Sequence, residues 1–155
     1  MPGFTVKTKI GASPAEVFAA FADLDHAAGR ISGITSVERL TDGPVGAGTR
    51  WRETRVMMGH EAAEEMEFTA FDPGRGYTVE AESRGTRYAT EFRFRQADGY
   101  GTEVTVRFEA KPVSLAAKLL APLAWLMMGA SRKCVEKDIE ELKAHIEAGV
   151  QTDMG

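Results

Sequence analysis

The sequence is poor in the residues that hold proteins together covalently or through metal ions. Its 155 residues include one cysteine, Cys134, so no disulfide can form within the chain, which favours a reducing compartment such as the cytoplasm. The three histidines, His26, His60 and His145, lie in separate segments without the spacing of metal ligands. Phosphate-binding, dinucleotide-binding and serine-nucleophile motifs are also missing. We therefore expect neither a metal ion nor another cofactor.

The chain also lacks a basic stripe and a membrane-spanning apolar run. Its net charge is −4 with acids and bases interspersed, which excludes nucleic acid as the expected partner. The apolar run over residues 115–128 contains Lys118 and Pro122 and is shorter than the roughly 20 residues that cross a bilayer. The first residues show no basic-then-apolar secretion signal. We expect a cytoplasmic protein, and peripheral contact with a membrane is not expected.

The length allows one domain with a substantial core and is too short for two. We predict a single domain over residues 1–149 and a flexible tail over residues 150–155. Near its end, residues 114–148 predict one long helix, with Ser114 as its N-cap, Gly149 as its stop and a kink near Pro122.

The two halves of this predicted helix differ in character. The second half is amphipathic, and its apolar positions recur at helical spacing: Val135, Ile139, Leu142 and Ile146. The first half is apolar all round and must be covered by a sheet, by a partner or by lipid. We favour a sheet. The apolar surface of this first half is too broad for one sheet to cover, and part of it is a candidate homodimer contact. It comprises Leu120, Leu123, Trp125, Met127 and Met128.

Alternating apolar and polar residues predict an antiparallel sheet with one covered face. A first strand over residues 4–10 precedes two short helices, over residues 13–24 and 25–31, and a second strand over residues 34–40. Five further strands follow between residues 49 and 111, separated by glycine-containing turns. Met66, Phe68 and Ala70 are predicted to face inward together on one of them.

Closing each hairpin around its turn predicts the pairing between strands. Phe68 is placed opposite Val79, Val79 opposite Phe92, and Phe92 opposite Val106. In the first hairpin Trp51 is placed opposite Met66, and Glu53 opposite Glu64. Ser83 and Tyr88 then continue the row of the two glutamates. The inner face is therefore predicted to be apolar in its middle and polar toward the turns at residues 58–59 and 85–86.

Several short motifs spread over nearly the whole chain support a family resemblance. They are SPAEVF at residues 13–18, DGPVGAGTR at 42–50, FDP at 71–73, GTEVTV at 101–106, LLAPL at 119–123 and DIEELK at 138–143. In this order the sequence resembles the START-like SRPBCC superfamily and, within it, the polyketide cyclase/dehydrase-like proteins. The resemblance implies an α+β helix-grip fold, in which a curved antiparallel sheet wraps a long carboxy-terminal helix. It also implies a cavity between the two, which favours a ligand site over plain core.

The predicted ligand site combines the inner face of the sheet with the helix. Its residues are Trp51, Glu53, Arg55, Glu64, Met66, Phe68, Val79, Ala81, Ser83, Tyr88, Thr90, Phe92, Leu119, Leu123 and Met127. The polar members are predicted at the mouth, between the turns at residues 58–59 and 85–86. There they either pair at a solvated rim or orient a ligand. His60 is a candidate proton shuttle, although a surface turn histidine is the simpler account.

Two functions remain open at this point. The first is a carrier or binding protein for a hydrophobic molecule such as a lipid, polyketide or isoprenoid. The second is a polyketide cyclase or dehydratase type of enzyme. An enzyme needs a proton-transfer group inside the cavity, and Glu53 and Glu64 are the carboxyl candidates for it.

Overall fold

The computed structural model describes residues 3–57 and 59–154, with the side chains of these residues apart from 57, 121, 123–127 and 151–154. Within that part, the strands are β1 (Gly3–Ile10), β2 (Ile34–Arg39), β3 (Arg50–Met57), β4 (His60–Asp72), β5 (Gly76–Ser83), β6 (Thr86–Gln96) and β7 (Thr102–Pro112). The helices are α1 (Pro14–Phe21), α2 (Ala27–Arg30), α3 (Leu115–Leu119) and α4 (Ala121–Met154), and a 3₁₀ turn (Leu24–His26) precedes α2.

The seven strands form one antiparallel sheet that curves around α4. Their order is β1-β7-β6-β5-β4-β3-β2, so consecutive strands are neighbours except that β1 pairs with the last strand. Ile139 and Ile146 of α4 pack into the main core with the aromatic side chains of the sheet, among them Phe68 and Phe94. The predicted helix-grip fold, with two short helical segments after the first strand, is confirmed.

Most of the predicted strand pairing is confirmed. Trp51 lies opposite Met66, Glu53 opposite Glu64, and Phe68 opposite Val79. One hairpin differs, because Val79 lies opposite Thr90 and not Phe92. The turn between β5 and β6 consists of Arg84 and Gly85, both with positive φ (51° and 76°), and is one residue earlier than predicted. This moves the pairing by two residues, which keeps every side chain on its predicted face.

A bulge in β4 corrects a second prediction. The pairing with β5 shifts between Phe68 and Ala70, so Ala70 is exposed and Phe71 turns toward the core. Phe71 contacts the ring of Phe18 edge-on, with centroids 5.3 Å apart. An extra residue in one strand of a pair reverses the alternation beyond it, and strict alternation cannot represent that.

The carboxy-terminal helix is broken where a kink was predicted. The Ser114 side chain accepts a hydrogen bond from the Ala117 amide at 3.1 Å, which confirms the N-cap. α3 ends at Leu119, and Pro122 lies in the first turn of α4, where its missing N–H leaves no hydrogen bond unmade. The predicted end at Gly149 is wrong, because α4 continues to Met154. A glycine inside a helix costs only about 1 kcal/mol, which the rest of the helix offsets.

The side chains of Leu123, Trp125 and Met127 lie outside the described residues, so their predicted roles are not addressed by the structure. The leucines of the α3 corner are largely exposed: Leu115, Leu119 and Leu120. The homodimer contact stays a prediction. No helix in the described part of the chain is both long and apolar enough to cross a membrane.

Gly85 provides a test of the corrected hairpin. A methyl group at this position would collide with the Oγ atom of Ser114 and lie 2.7 Å from its Cβ atom, and the backbone φ is +76°. Gly74, in the turn between β4 and β5, has a similar φ of +79° but nothing within 4 Å. We expect Gly85→Ala to lower the free energy of unfolding by at least about 1 kcal/mol more than Gly74→Ala, since only the first adds a clash to the backbone strain. Urea denaturation measures both, and equal losses would contradict the observed packing of the turn.

Candidate functional site

A cavity of about 370 Å³ lies between the inner face of the sheet and α4. Strands β3 to β7 supply one wall, and the segment around the 3₁₀ turn and α2 supplies another through Leu24, Ala27 and Ile31. α4 closes it with Ser131, Cys134, Val135, Asp138, Ile139 and Leu142. A volume in this range is typical of small-molecule sites.

The inward-facing side chains divide into packed ones and partly open ones. Phe68, Trp51 and Tyr77 are 1 %, 3 % and 5 % exposed and form the floor of the cavity. Val79 and Phe92 face the same way but are only half-buried. Their remaining exposed surface therefore lies against empty space, and the middle of the cavity is apolar.

One corner of the cavity is strongly polar and is centred on Arg55. Its Nη2 atom lies 2.9 Å from an Oδ atom of Asp138 on α4, and its Nη1 atom lies 3.2 Å from the other. The Nε and Nη2 atoms also approach Oε2 of Glu53, at 3.4 Å and 3.3 Å. The three side chains are only 11–20 % exposed, so this ion-pair cluster ties β3 to α4 in a partly dry environment.

Burial shapes the ionisation of this cluster. It raises the pKa of Glu53, and Arg55 offsets part of that rise by charge and hydrogen bonding. The indole N–H of Trp51 also favours the charged form of Glu53, although it is not placed to donate a well-formed hydrogen bond. The pKa of Asp138 is raised by burial too, again with Arg55 opposing.

The same surroundings act on the guanidinium group. Burial alone would lower the pKa of Arg55, but the hydrogen bond and charge of Asp138, followed by the charge of Glu53, raise it above its ordinary value. Arg55 is therefore a permanent cation, and the carboxyl groups are the members of the cluster that can change their protonation. A carboxyl group with a raised pKa inside a cavity is able to hold or take up a proton.

Two tyrosines stand close to these carboxyl groups. Burial, followed by the charge of Glu53, raises the pKa of Tyr77, and its hydroxyl donates to the backbone carbonyl of Phe21 at 3.3 Å. Burial and the charge of Glu64 raise the pKa of Tyr88. Both phenols are therefore neutral donors at physiological pH.

The structure brings most of the predicted site residues together around one cavity. Those that line it are Trp51, Glu53, Arg55, Glu64, Met66, Phe68, Val79, Ala81, Tyr88, Thr90 and Phe92. Tyr88 lies opposite Ala81 and not opposite Ser83, which follows from the two-residue shift of that hairpin. Ser83 is accordingly at the end of β5 and does not line the cavity. The position of the mouth stays a prediction, since Met58 lies outside the described residues.

Another predicted site residue, Leu119, does not line the cavity. Leu119 was expected there, but its side chain is 74 % exposed; it is the last residue of α3, before the break at Leu120. Leu123 and Met127 were also predicted there, and their side chains are not described. His60 is exposed and does not line the cavity, as expected for a turn histidine.

Sequence reasoning missed the contribution of α4 to the polar corner. Asp138 was not considered for the site, although it shares one helical face with Ser131, Cys134 and Leu142, which lie seven and four residues before it and four residues after it. A carboxylate on the apolar side of an amphipathic helix is the signal that would have found it. The wall formed by Phe21, Leu24, Ala27, Ile31 and Ile34 was also missed.

Metal binding has no support in the part of the chain that the structure describes, since no group of three or more histidine, cysteine or acidic side chains is placed to hold an ion. Two of the acidic side chains that line the cavity, Glu53 and Asp138, are both engaged by Arg55.

Comparisons with known proteins agree with the fold. Residues 1–147 match the family model described as polyketide cyclase/dehydrase and lipid transport. A solved structure from Thermus thermophilus is 23 % identical, with a TM-score of 0.72, and the match covers 96 % of this chain and 99 % of that one. A START superfamily protein from Mycobacterium smegmatis is 12 % identical, with a TM-score of 0.73 and coverage of 94 % and 97 %.

A di-domain protein gives a similar result over half its length. The di-domain ARO/CYC StfQ from the steffimycin biosynthetic pathway is 10 % identical with a TM-score of 0.79, and the match covers 96 % of this chain but 51 % of StfQ. No curated protein sequence matches the chain. Identities this low establish a shared fold alone. The family model spans nearly the whole sequence, and the chain therefore belongs to the polyketide cyclase/dehydrase and lipid transport family.

Proposed function

We propose that the protein binds a hydrophobic small molecule in the cavity between the sheet and α4, and acts as a carrier or binding protein. The observation that carries this proposal is the set of inward-facing apolar side chains that stay half-buried, such as Val79 and Phe92. In a packed core such side chains contact neighbours on all sides, and empty apolar volume costs stability. A ligand of matching shape would recover those contacts.

Polar and apolar side chains occupy different parts of the cavity wall. Glu53, Arg55 and Asp138 lie at one part of the wall, while Phe68, Val79 and Phe92 form the apolar remainder. A molecule with one polar end and a hydrophobic body suits this distribution, since each part would find a wall of its own kind. The description of the family names both polyketide cyclase/dehydrase activity and lipid transport. A molecule with a polar end and a hydrophobic body would suit either activity.

Filling the cavity tests the proposal directly. Ala81 lines the cavity on β5, whereas Ala89 lies on the outer face of β6 and does not line it. We expect Ala81→Phe to weaken binding of the uncharged dye Nile red at least tenfold, because the new ring occupies the ligand's space. Ala89→Phe adds the same ring outside and should leave the affinity unchanged. Fluorescence titration measures both, and equal dye binding by the two variants would count against the cavity as the binding site.

A second function, an enzyme of the cyclase or dehydratase type, is favoured by one specific observation. Glu53 lines the cavity with only 11 % of its side chain exposed, and burial raises its pKa. It is therefore placed to transfer a proton to or from a bound chain. Such a step needs no metal ion and no redox partner.

The two functions predict different bound molecules. If the protein is an enzyme, Glu53→Gln, expressed in the same host, should retain an unreacted precursor, while the wild type retains or releases the product. For a dehydration the two masses differ by one water molecule. If it is a carrier, Glu53→Gln should hold no molecule that is related to the wild-type ligand as its unreacted precursor. Native mass spectrometry of the purified proteins distinguishes these results, and Glu80→Gln on the outer face is the matched control for the lost charge.

A further inference from the structure

Among the residues that the structure describes, the polar corner of the cavity has no cation that is free to bind a ligand. Within the described lining, Arg55 is the one basic side chain, and Glu53, Glu64 and Asp138 are three acidic ones. Arg55 directs its Nε, Nη1 and Nη2 atoms at Glu53 and Asp138, so two carboxyl groups already share its charge. A ligand carboxylate or phosphate entering this corner would find no unpaired guanidinium or ammonium group among these described side chains.

The same corner has hydrogen-bond acceptors to spare. The contacts of Glu53 with Arg55 all involve one oxygen, Oε2, which leaves Oε1 without a well-formed hydrogen bond among the described residues. Glu64 forms no hydrogen bond or ion pair within the same part of the structure, although it lies directly opposite Glu53 on the neighbouring strand. Carboxylate oxygens accept hydrogen bonds and cannot donate them when ionised.

The carboxyl groups of the protein indicate that this site disfavours negative charge. Burial raises the pKa of both Glu53 and Asp138 even though Arg55 contacts each of them. A further negative charge from a ligand would suffer the same loss of hydration and, in addition, repulsion from these carboxyl groups.

We propose that the cavity selects ligands whose polar end donates hydrogen bonds and carries no negative charge, as a hydroxyl or an ammonium group does, and rejects hydrophobic acids. This inference rests on the proposed function, since it requires that a ligand occupies the cavity. Glu53 and Glu64 are the specificity-determining residues, because Oε1 of Glu53 and the carboxylate of Glu64 have no well-formed hydrogen bond among the described residues and can accept one from such a polar end. Fatty acids are thereby excluded from the expected ligands, while hydrophobic alcohols and amines are included.

A matched series of naphthalene derivatives tests the inference on the full-length protein. Naphthylmethanol, naphthylmethylammonium, naphthoate and ethylnaphthalene share one skeleton and differ at the polar end. Equilibrium dialysis gives the dissociation constant of each. We expect the alcohol or the ammonium compound to bind at least about tenfold more tightly than naphthoate. Naphthoate loses a hydrogen bond and is repelled by the carboxylates, and a tenfold difference in affinity corresponds to about 1.4 kcal/mol. Comparing the dissociation constants of the alcohol and the ammonium compound shows which of the two donor groups the site prefers.

Two variants locate the selectivity. Glu53→Gln removes one negative charge from the corner and keeps the shape, so the disadvantage of naphthoate should shrink severalfold. Glu64→Gln should act in the same direction, and it has no hydrogen bond within the described structure to lose, which makes it usable if the first variant folds poorly. Glu80→Gln carries the same charge change on the outer face of β5 and should behave as the wild type.

The outcomes separate this inference from the proposed function. If ethylnaphthalene and all three polar compounds fail to bind, the proposed function is wrong and the inference falls with it. If ethylnaphthalene binds but naphthoate binds as tightly as the alcohol and the ammonium compound, the cavity is a ligand site and the inference alone is wrong. Selectivity that persists unchanged in both Glu53→Gln and Glu64→Gln would also overturn it.

Discussion

Replacing Arg55 by methionine is expected to lower the free energy of unfolding by about 3–5 kcal/mol at neutral pH, since removing one member of a buried ion pair leaves the other uncompensated. Here two carboxyl groups, Glu53 and Asp138, would lose their common partner, and their side chains are only 11 % and 20 % exposed. Methionine preserves most of the side-chain volume, so the loss reports the charge. Chemical denaturation provides the measurement.

The stability lost in Arg55→Met should be smaller at lower pH. Burial raises the pKa of Glu53 and Asp138 in the folded protein, and Arg55 limits that rise. Without Arg55 the folded state would bind protons at a higher pH than the unfolded state, so the stability of the variant increases as pH falls. We expect the deficit relative to wild type to be largest at neutral pH and to shrink toward pH 4.5, the ordinary pKa of glutamate. A deficit that is constant over this range would show that charge is not its cause.

Arg52 on the same strand is the matched control for this variant. It points to the outer face, is 43 % exposed, and pairs with Glu38 and Glu65 at 3.4 Å and 3.0 Å. Exposed ion pairs contribute little, so Arg52→Met should cost less than about 1 kcal/mol and show no comparable pH dependence. A similar loss in both variants would argue against a special role for the Arg55 cluster.

Truncating Phe68 to alanine is the second change with a large expected effect, a loss of about 3–5 kcal/mol in the free energy of unfolding. The ring is 1 % exposed and contacts three aromatic neighbours, with centroids 4.6 Å from Trp51, 5.0 Å from Tyr77 and 5.2 Å from Phe71. These contacts form the floor of the cavity, and the remaining side chains cannot close the gap without moving together.

Phe92→Ala is the informative comparison. Phe92 faces the same cavity and stacks on Tyr77, with centroids 4.6 Å apart, but it is only half-buried. Its truncation should therefore cost less stability than that of Phe68 and should weaken binding of Nile red more. Urea denaturation and dye titration of the two variants test this order. Equal stability losses would mean that Phe92 is packed as core and does not border open space.

The sequence predicted the fold and the sheet side of the cavity because both depend on local patterns. Alternation along each strand assigns its inner face, and short turns define most of the pairing, as for Trp51 with Met66 and Glu53 with Glu64. The error at the turn formed by Arg84 and Gly85 was invisible to alternation, since a shift of two residues returns every side chain to the same face. The bulge before Ala70 could not be predicted either, because nothing in the local composition indicates an inserted residue.

The helix side of the cavity could not be predicted in the same way. Which residues of α4 face the cavity depends on how the helix rotates and tilts against the sheet, and no pairing rule between a strand and a helix supplies that. Asp138 therefore appeared as one more charge on an amphipathic helix until its contact with Arg55, 83 positions away in the sequence, was seen. Leu119 was predicted in the cavity on the basis of one helix over residues 114–148, whereas that helix is interrupted at Leu120.

The position of β1 beside β7 has a consequence for the order in which the protein folds. β1 pairs from Gly3 with Glu109 to Ile10 with Thr102, so its partner is separated from it by most of the chain. During synthesis the strands from β2 to β7 can add one after another as neighbouring hairpins, while β1 must wait until β7 has left the ribosome. Contacts of such long sequence separation close large loops, and they slow folding. We expect the sheet to grow from its β2 edge toward β7 and to be completed last by β1 at the opposite edge.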